Sequence, residues 1–195
     1  MSYWILSKKP NGGALLDMLP DGSPQEFRFR QGLSLAPEFP MGGAMQFSSL
    51  FQQYIKVFDF VTALLPVLVV SSRVRRVLEQ LEADNCEFLP VILKDHKGNV
   101  ASTEHFVLHV LGSQDAIDLE RSQYKTGALV EDQIKTMKKL VLAPERIDPK
   151  ALLFRPSRMR HRFMLHQRLL DAFMAAGLTG LHVYPAEGWN GMDIA

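Results

Sequence analysis

The sequence has few of the features that mark secreted or membrane proteins. With one cysteine, Cys86, the chain cannot form an internal disulfide, which is typical of a protein from a reducing compartment. The most hydrophobic uncharged run, Phe60–Ser72, has thirteen residues, whereas a membrane-spanning helix needs about 20. The segment Met1–Lys9 lacks the basic and apolar regions of a signal peptide. We therefore expect a cytoplasmic protein with no membrane partner.

The chain also has no excess of either charge. Lysine and arginine number 22 and aspartate and glutamate number 21, so the formal net charge is +1. Because proteins that bind nucleic acids usually carry a strong basic excess, this balance predicts no nucleic-acid partner. Apolar residues are 47% of the 195 residues, enough for one substantial core. We expect a single domain, 1–195, in which an N-terminal lobe, 1–60, packs on a body formed by 61–195.

No motif of catalysis or phosphate binding stands out. The chain has neither a Gly-x-Ser-x-Gly nor a Cys-x-x-Cys sequence, and its Gly12-Gly13 and Gly42-Gly43 pairs lack the flanking strand and helix of a phosphate loop. His105 and His109 share one face of a predicted strand, but no third ligand follows at metal-binding spacing. We therefore expect no catalytic residue, no cofactor and no metal site.

Hydrophobic spacing predicts helices and short strands. One helix follows the capping pair Ser71-Ser72 and ends near Asp84-Asn85, and another covers 167–176 with Gly177 as its left-handed cap. The spacing over 48–58 predicts a further helix whose apolar stripe joins the core, with a partner-binding stripe as the alternative. The predicted strands are Tyr3–Leu6, Phe27–Arg30, Val67–Val70, Glu87–Leu93, Phe106–Leu111, Lys139–Leu142, Leu152–Arg155, Phe163–Leu165 and Leu181–Pro185.

Two of the predicted helices lie in stretches that match each other without a gap at an offset of 95 residues. Arg73 aligns with Arg168, and Phe88-Leu89-Pro90 aligns with Val183-Tyr184-Pro185. Each stretch has an apolar strand, a helix that opens on a polar-Arg pair, and a strand that ends in proline. These duplicated strand–helix–strand units, at about 67–93 and 162–186, predict an α+β fold with a mixed β-sheet. The prolines should lie at strand ends or sheet edges.

Several short motifs follow one another in a characteristic order between Pro66 and Pro185, over half of the chain. They are Val69-Val70-Ser71-Ser72-Arg73-Val74, Phe88-Leu89-Pro90-Val91, Ala116-Ile117-Asp118 with Ser122 and Tyr124, Lys139-Leu140-Val141-Leu142, Leu153-Phe154-Arg155, and Ala176-Gly177-Leu178-Thr179-Gly180. Their order resembles immunity protein family eleven of bacterial polymorphic toxin systems. One departure is His166-Gln167, where a serine-rich strand–helix junction is usual.

The resemblance implies a cytoplasmic, non-enzymatic protein that neutralises a co-encoded toxin by binding it, and it supplies no catalytic residues. In this picture Asp118 and Ser122 close a loop, because short polar side chains bond backbone groups in turns. A homodimer is a further expectation, since the edge strands of the two units invite pairing. Arginine and aromatic side chains often dominate protein interfaces. The predicted partner-binding residues are Arg155, Arg158, Arg160, Tyr124 and Phe39.

Two other functions would use some of the same residues. In a small enzyme acting on a phosphorylated or nucleotide-like ligand, the arginines would bind phosphate and Asp118 or Glu120 would act as a base. In an RNA- or single-strand-binding module, arginines and phenylalanines would hold the strand, although the near-neutral charge counts against this. Carboxylates converging in a polar pocket would favour the enzyme, and an open surface patch would favour the binding protein.

Overall fold

A computed structural model describes residues 2–7, 9–10, 12–127 and 132–192. Within these residues the chain forms an α+β fold in which strands predominate. The helical elements are α1 (Ser72–Gln80), α2 (Gln167–Ala175) and 3-10 helices at Glu26–Arg30, Ser49–Phe51 and Pro144–Arg146. The strands are β1 (Tyr3–Leu6), β2 (Leu15–Leu16), β3 (Gly43–Gln46), β4 (Phe60–Ala63), β5 (Leu68–Ser71), β6 (Cys86–Lys94), β7 (Val100–Val110), β8 (Gln123–Thr126), β9 (Ile134–Lys139), β10 (Leu153–Phe154), β11 (Met164–His166) and β12 (Val183–Pro185).

Six of the described strands form a mixed sheet in the order β2-β4-β5-β7-β6-β3. β7 lies in its centre and is antiparallel to both β5 and β6. β3 pairs with β6 in parallel, from Val91 to Lys94. Pro90 precedes this pairing, so at Pro90 the strand β6 has β7 on one side and no described strand on the other. This is a sheet-edge position, as the sequence predicts for proline.

Four further strands form an antiparallel sheet in the order β10-β11-β1-β12. The N-terminal strand β1 lies inside this sheet, where Ile5 is the register partner of Met164 in β11 and of Tyr184 in β12. β12 lies at an edge, and Pro185 ends it. β8 and β9 form a separate two-stranded hairpin. The first 60 residues thus contribute strands to both of the larger sheets.

The two matching stretches of the sequence have the same local topology. In the first, β5 and β6 flank the antiparallel strand β7, and in the second, β11 and β12 flank the antiparallel strand β1 in the same way. The outer strands of each stretch are therefore parallel to each other without being neighbours. The two stretches lie in different sheets, and their origin by duplication stays a prediction.

Side-chain caps start both α-helices. Ser71 Oγ accepts a hydrogen bond from the backbone N–H of Arg73 at 3.2 Å, and His166 Nδ1 accepts one from Arg168 at 3.1 Å. His166 therefore caps α2 as serine caps α1, although it departs from the serine-rich pattern. Gly177 follows α2 with φ at 60°, which is the predicted left-handed cap. Neither α-helix of the described residues has the length and apolar character needed to cross a membrane.

One hydrophobic core joins both α-helices to the facing sides of the two larger sheets. Side chains alternate along β5, so that Leu68 and Val70 enter this core while Val69 enters a second core on the opposite face. Segments between residues 14 and 47 cover that opposite face. Segments between 116 and 159 cover the outer face of the four-stranded sheet and form a third core with it. The shared core includes Val74, Leu78, Leu108, Val110, Leu165, Leu169 and Phe173.

The strand predicted at Phe27–Arg30 is wrong. These residues belong to the 3-10 helix Glu26–Arg30. The alternation of apolar and basic residues does not mark two faces of a sheet here. In the 3-10 helix Phe29 is the buried residue, and its ring packs edge-to-face against Phe39 and His109. The turn thus inserts one phenylalanine into the second core.

The helix predicted over 48–58 is also wrong. Regular structure is confined to the 3-10 turn Ser49–Phe51, which Ser48 Oγ caps by accepting from the N–H of Leu50. Leu50 and Ile55 are 77% and 66% exposed, so this apolar stripe does not enter the core as a unit. The sequence spacing was compatible with a helix, but no core surface receives its full apolar face.

Candidate functional site

Two of the sequence motifs, at 69–74 and 176–180, meet at the carboxylate of Asp59, just before β4. Asp59 is 7% exposed. Its Oδ1 accepts a hydrogen bond from Ser71 Oγ at 2.7 Å. Its Oδ2 accepts from Arg73 at 2.8 Å and from the N–H and the hydroxyl of Thr179, each at 2.9 Å. One buried carboxylate therefore connects the start of α1 to the turn that follows α2.

Arg73 extends this connection to the C-terminal end of α2. Its second terminal nitrogen donates to the carbonyl of Ala176 at 2.7 Å. The last carbonyls of a helix have no partner within the helix, and a cation placed there is stabilising. Asp59, Ser71, Arg73 and Thr179 are termed the Asp59 junction below.

The electrostatics of the Asp59 junction fit a structural link. Burial alone would raise the pKa of the Asp59 carboxyl, but the hydrogen bonds from Ser71 and Thr179 and the charge of Arg73 outweigh burial and lower that pKa. The carboxylate is therefore ionised at neutral pH, with both oxygens bonded. A general acid or base needs a pKa near the working pH and a position from which to move a proton. The junction offers neither, so it does not support a catalytic role for Asp59.

Asp59 does not stand out in the sequence, because its partners are distant in the chain. Ser71 is 12 residues away and Thr179 is 120 residues away. A signal is present, since Asp59 is the only charged residue between Lys56 and Arg73. An acid at the start of a buried strand needs a polar partner inside the protein.

His105 and His109 lie on one face of β7, as their spacing predicts. His105 Nε2 faces the Phe58 carbonyl at 3.1 Å, and His109 Nε2 faces the Leu33 carbonyl at 2.7 Å. Because a carbonyl only accepts hydrogen bonds, each Nε2 carries a hydrogen. Burial lowers the pKa of both imidazoles. Among the described residues no three His, Cys, Asp or Glu side chains are grouped to hold a metal ion.

These two histidines predict a loss of stability in mild acid. Their folded pKa values lie below the ordinary value of 6.5, so the unfolded chain takes up protons first as the pH falls through 6.5. The free energy of unfolding should therefore be fully retained above about pH 7 and decrease towards about pH 5. Urea denaturation across this range checks the slope. A His105→Gln/His109→Gln variant should lose much of it, and an unchanged slope in that variant would contradict the assignment.

Asp118 and Ser122 close the loop before β8, and this prediction is confirmed. Asp118 Oδ1 accepts from the N–H groups of Glu120 and Arg121 at 3.1 and 3.0 Å. Ser122 Oγ accepts from the N–H of Val141 at 2.9 Å and donates to the Val141 carbonyl at 3.2 Å. These bonds tie the loop to the segment 140–142 after β9, so the polar side chains serve the backbone. The strand predicted at Lys139–Leu142 is wrong, because β9 ends at Lys139 and, among the described residues, only an isolated bridge joins Leu142 to Ile117.

Three of the five predicted partner-binding residues come together around the hairpin β8–β9. Tyr124 lies in β8 opposite Met137 and packs, half-buried, on the third core. Arg158 and Arg160 lie in the loop after β10. The N–H of Ile134, the first residue of β9, donates to the Arg158 carbonyl at 2.8 Å, so this loop is fixed to the hairpin.

The side chains of the two arginines are partly open to solvent. Arg158 forms an ion pair with Asp132 at 2.6 Å. The N–H of Arg160 donates to the side-chain oxygen of Gln133 at 3.4 Å. Arg158 and Arg160 are therefore held beside the start of β9, where a binding partner can reach them.

The other two predicted partner-binding residues do not reach the surface. Arg155 is 0% exposed. It donates to the Arg160 carbonyl at 2.6 Å and to the Pro66 carbonyl at 3.0 Å, and its guanidinium lies 3.9 Å from the centre of the Phe163 ring. Phe39 is 5% exposed and belongs to the second core. Neither side chain is available for direct contact with a partner in this conformation, and Arg155 instead holds the loop that carries Arg160.

The polar residues described above thus connect segments of the fold, while Arg158 and Arg160 are half-exposed at the surface. A comparison with known families agrees with the resemblance seen in the motifs. Residues 18–188 match the Immunity protein family (Imm11). The match spans most of the chain, and the chain belongs to the Imm11 immunity protein family. It begins well before the first motif at Val69, so it also includes most of the segments that cover the six-stranded sheet. No curated protein matches the chain.

Proposed function

We propose that this protein is an immunity protein that binds a cognate toxin and neutralises it without catalysis. The observation that carries the proposal is membership of the Imm11 family over residues 18–188. Covering the active site of the toxin would neutralise it by exclusion of its substrate. Interfaces of this kind typically bury about 1,600 Å² in total, with a few arginine and aromatic side chains providing most of the affinity.

The proposed contact residues are Tyr124, Arg158 and Arg160. They lie around one hairpin. The hydrogen bonds from the Ile134 N–H to the Arg158 carbonyl and from the Arg160 N–H to the Gln133 side-chain oxygen fix the arginine loop before any partner arrives. A loop that is already ordered loses little conformational entropy on binding, which favours tight association. Arg155 supports this surface from below, through its hydrogen bond to the Arg160 carbonyl.

The proposal includes a cytoplasmic location and action as one domain, with no cofactor and no nucleic-acid or membrane partner. The arrangement of the N-terminal segment supports a single domain, since β1 is inside one sheet while β2 and β3 are the outermost strands of the other. A homodimer is also compatible with the proposal, and the mass of the purified protein in solution, measured by light scattering, will decide between one copy and two.

Affinity purification of the tagged protein from its own cells tests the proposed function. We expect one stoichiometric partner, encoded beside this gene, that arrests growth when it is expressed alone. Co-expression of this protein should restore growth. The proposal fails if the protein is purified alone and if deletion of its gene leaves growth unaffected while the neighbouring gene is intact.

A further inference from the structure

The hairpin β8–β9 presents four exposed lysines, Lys125, Lys135, Lys138 and Lys139. Lys125 is opposite Thr136, and Lys139 is opposite Gln123, in register positions whose side chains are all exposed. The register shifts by one residue twice along β9, at Lys135 and at Lys138. The buried side of the hairpin is formed by Ile134 and Met137, which belong to the third core. These four lysines, with Arg158 and Arg160, are termed the lysine surface.

Few acidic residues in the adjoining sequence balance this charge: Glu131 and Asp132 precede β9, and Glu145 and Asp148 follow the hairpin. The stretches 133–143 and 149–170 contain no aspartate or glutamate. Within the described parts of the chain none of the four lysines forms an ion pair, and Arg158 pairs with Asp132. The stretch 133–170 holds ten of the 22 lysines and arginines but only two acids, whereas the whole chain has a formal charge of +1, so basic residues are concentrated in this part of the chain. A field of one sign over a surface attracts a partner of the opposite sign.

We propose that the lysine surface binds an acidic surface of the toxin. This inference rests on the proposed function and adds the chemistry of the partner to it. Lysine is a flexible, strongly hydrated point charge, suited to the edge of an interface, whereas the planar guanidinium of Arg158 or Arg160 can bind a carboxylate through two hydrogen bonds. The arginines would therefore provide fixed contacts while the lysines accelerate association and orient the toxin.

The same surface is less suited to a nucleic acid. Single-stranded binding proteins combine basic residues with exposed aromatic rings on which the bases stack. The exposed side of this hairpin carries lysine, threonine and glutamine, while its aromatic residue, Tyr124, packs on the third core. The charge complementarity therefore favours carboxylates on a protein, and RNA binding becomes an outcome of the test.

A pair of charge reversals tests the inference with the toxin that co-purifies with the full-length protein. The test variant is Lys138→Glu/Lys139→Glu. The matched control is Lys94→Glu/Lys97→Glu, which makes the same change of charge at the turn of the hairpin β6–β7. The Kd of each complex is measured by calorimetry at about 50 mM and about 300 mM NaCl, and binding to polyuridine RNA is measured in parallel. Equal midpoints of thermal unfolding verify that all proteins are folded.

We expect the test variant to raise the Kd at least about ten-fold and to remove most of the salt dependence, with less than about a two-fold change in the control. If the wild type binds the toxin and the test variant binds it equally well, the inference is overturned and the proposed function stands. If polyuridine binding is lost in the test variant while toxin binding is unchanged, the surface serves nucleic acid and the inference is also overturned. If the wild type does not bind the toxin, the proposed function itself fails.

Discussion

Replacing Asp59 with alanine should lower the free energy of unfolding by about 3 kcal/mol, a typical cost of removing one partner from a buried, hydrogen-bonded ion pair. The change leaves the hydroxyl of Ser71 and both donors of Thr179 without their acceptor. Arg73 contributes less to this cost, because its side chain is half exposed and water can replace the carboxylate. Urea denaturation at neutral pH gives the value directly.

Two comparisons separate this effect from a general loss of packing. Asp59→Asn keeps an acceptor of the same shape, so it should cost clearly less than the alanine variant. Glu104→Ala changes an exposed acid on β7 and should leave stability nearly unchanged. A loss below about 1 kcal/mol for Asp59→Ala would show that the junction does not hold the two helices together.

The same residue should also account for part of the acid sensitivity at low pH. Its folded pKa is below the ordinary value of 3.8, so the stabilisation from the carboxylate is complete above that value and is lost as the pH falls through the folded pKa. The difference in unfolding free energy between the wild type and Asp59→Ala should therefore shrink towards about pH 2–3. A difference that is constant with pH would contradict the ionised, hydrogen-bonded carboxylate.

The second large effect is expected at Arg155. Burial and the nearby charge of Arg30 lower the pKa of the Arg155 guanidinium to about 9, which still leaves it charged at neutral pH. Arg155→Met removes the donors to the Pro66 and Arg160 carbonyls, and each buried acceptor left unpaired costs about 1–3 kcal/mol. Removing the buried charge also removes its desolvation penalty, which offsets part of this cost. We expect a net loss of about 2–3 kcal/mol in chemical denaturation.

Arg155→Met should also loosen the loop that carries Arg158 and Arg160. Amide hydrogen exchange should increase at Met159 and Arg162, whose N–H groups donate to carbonyls within this loop. Arg168→Met serves as the control, because it removes an arginine from the exposed side of α2. Equal stability and equal exchange in Arg155→Met and the wild type would show that the buried arginine has no supporting role.

Local signals in the sequence predict both α-helices and seven of the twelve described strands, but they miss β2, β3, β4 and β8 and reach β9 only at Lys139. Val74, Val77 and Leu78 recur at helical spacing behind a serine cap, and they are the buried residues of α1. The helix prediction for 48–58 is wrong even though the spacing there also suits a helix, because no core surface accepts Leu50 and Ile55. Spacing describes the chain alone, whereas burial depends on what the rest of the chain supplies.

The candidate site is predicted less completely, because its residues act through distant partners. A cluster of arginines in the sequence suggests one basic patch, yet Arg155 points into the protein and bonds to Pro66, 89 residues away. The lysines of β9 are visible in the sequence, but their common surface depends on two register shifts that period-two alternation does not anticipate. Asp59 is overlooked because one carboxylate gives no repeating pattern.

The most direct test of neutralisation by binding is a titration of purified toxin activity with this protein. A binding protein must occupy each toxin molecule, so the residual activity should fall linearly and reach its minimum near one protein per toxin, independent of incubation time. An enzyme that destroys a substrate, a product or the toxin would turn over. Complete protection by a small fraction of one equivalent, increasing with time, would contradict the account.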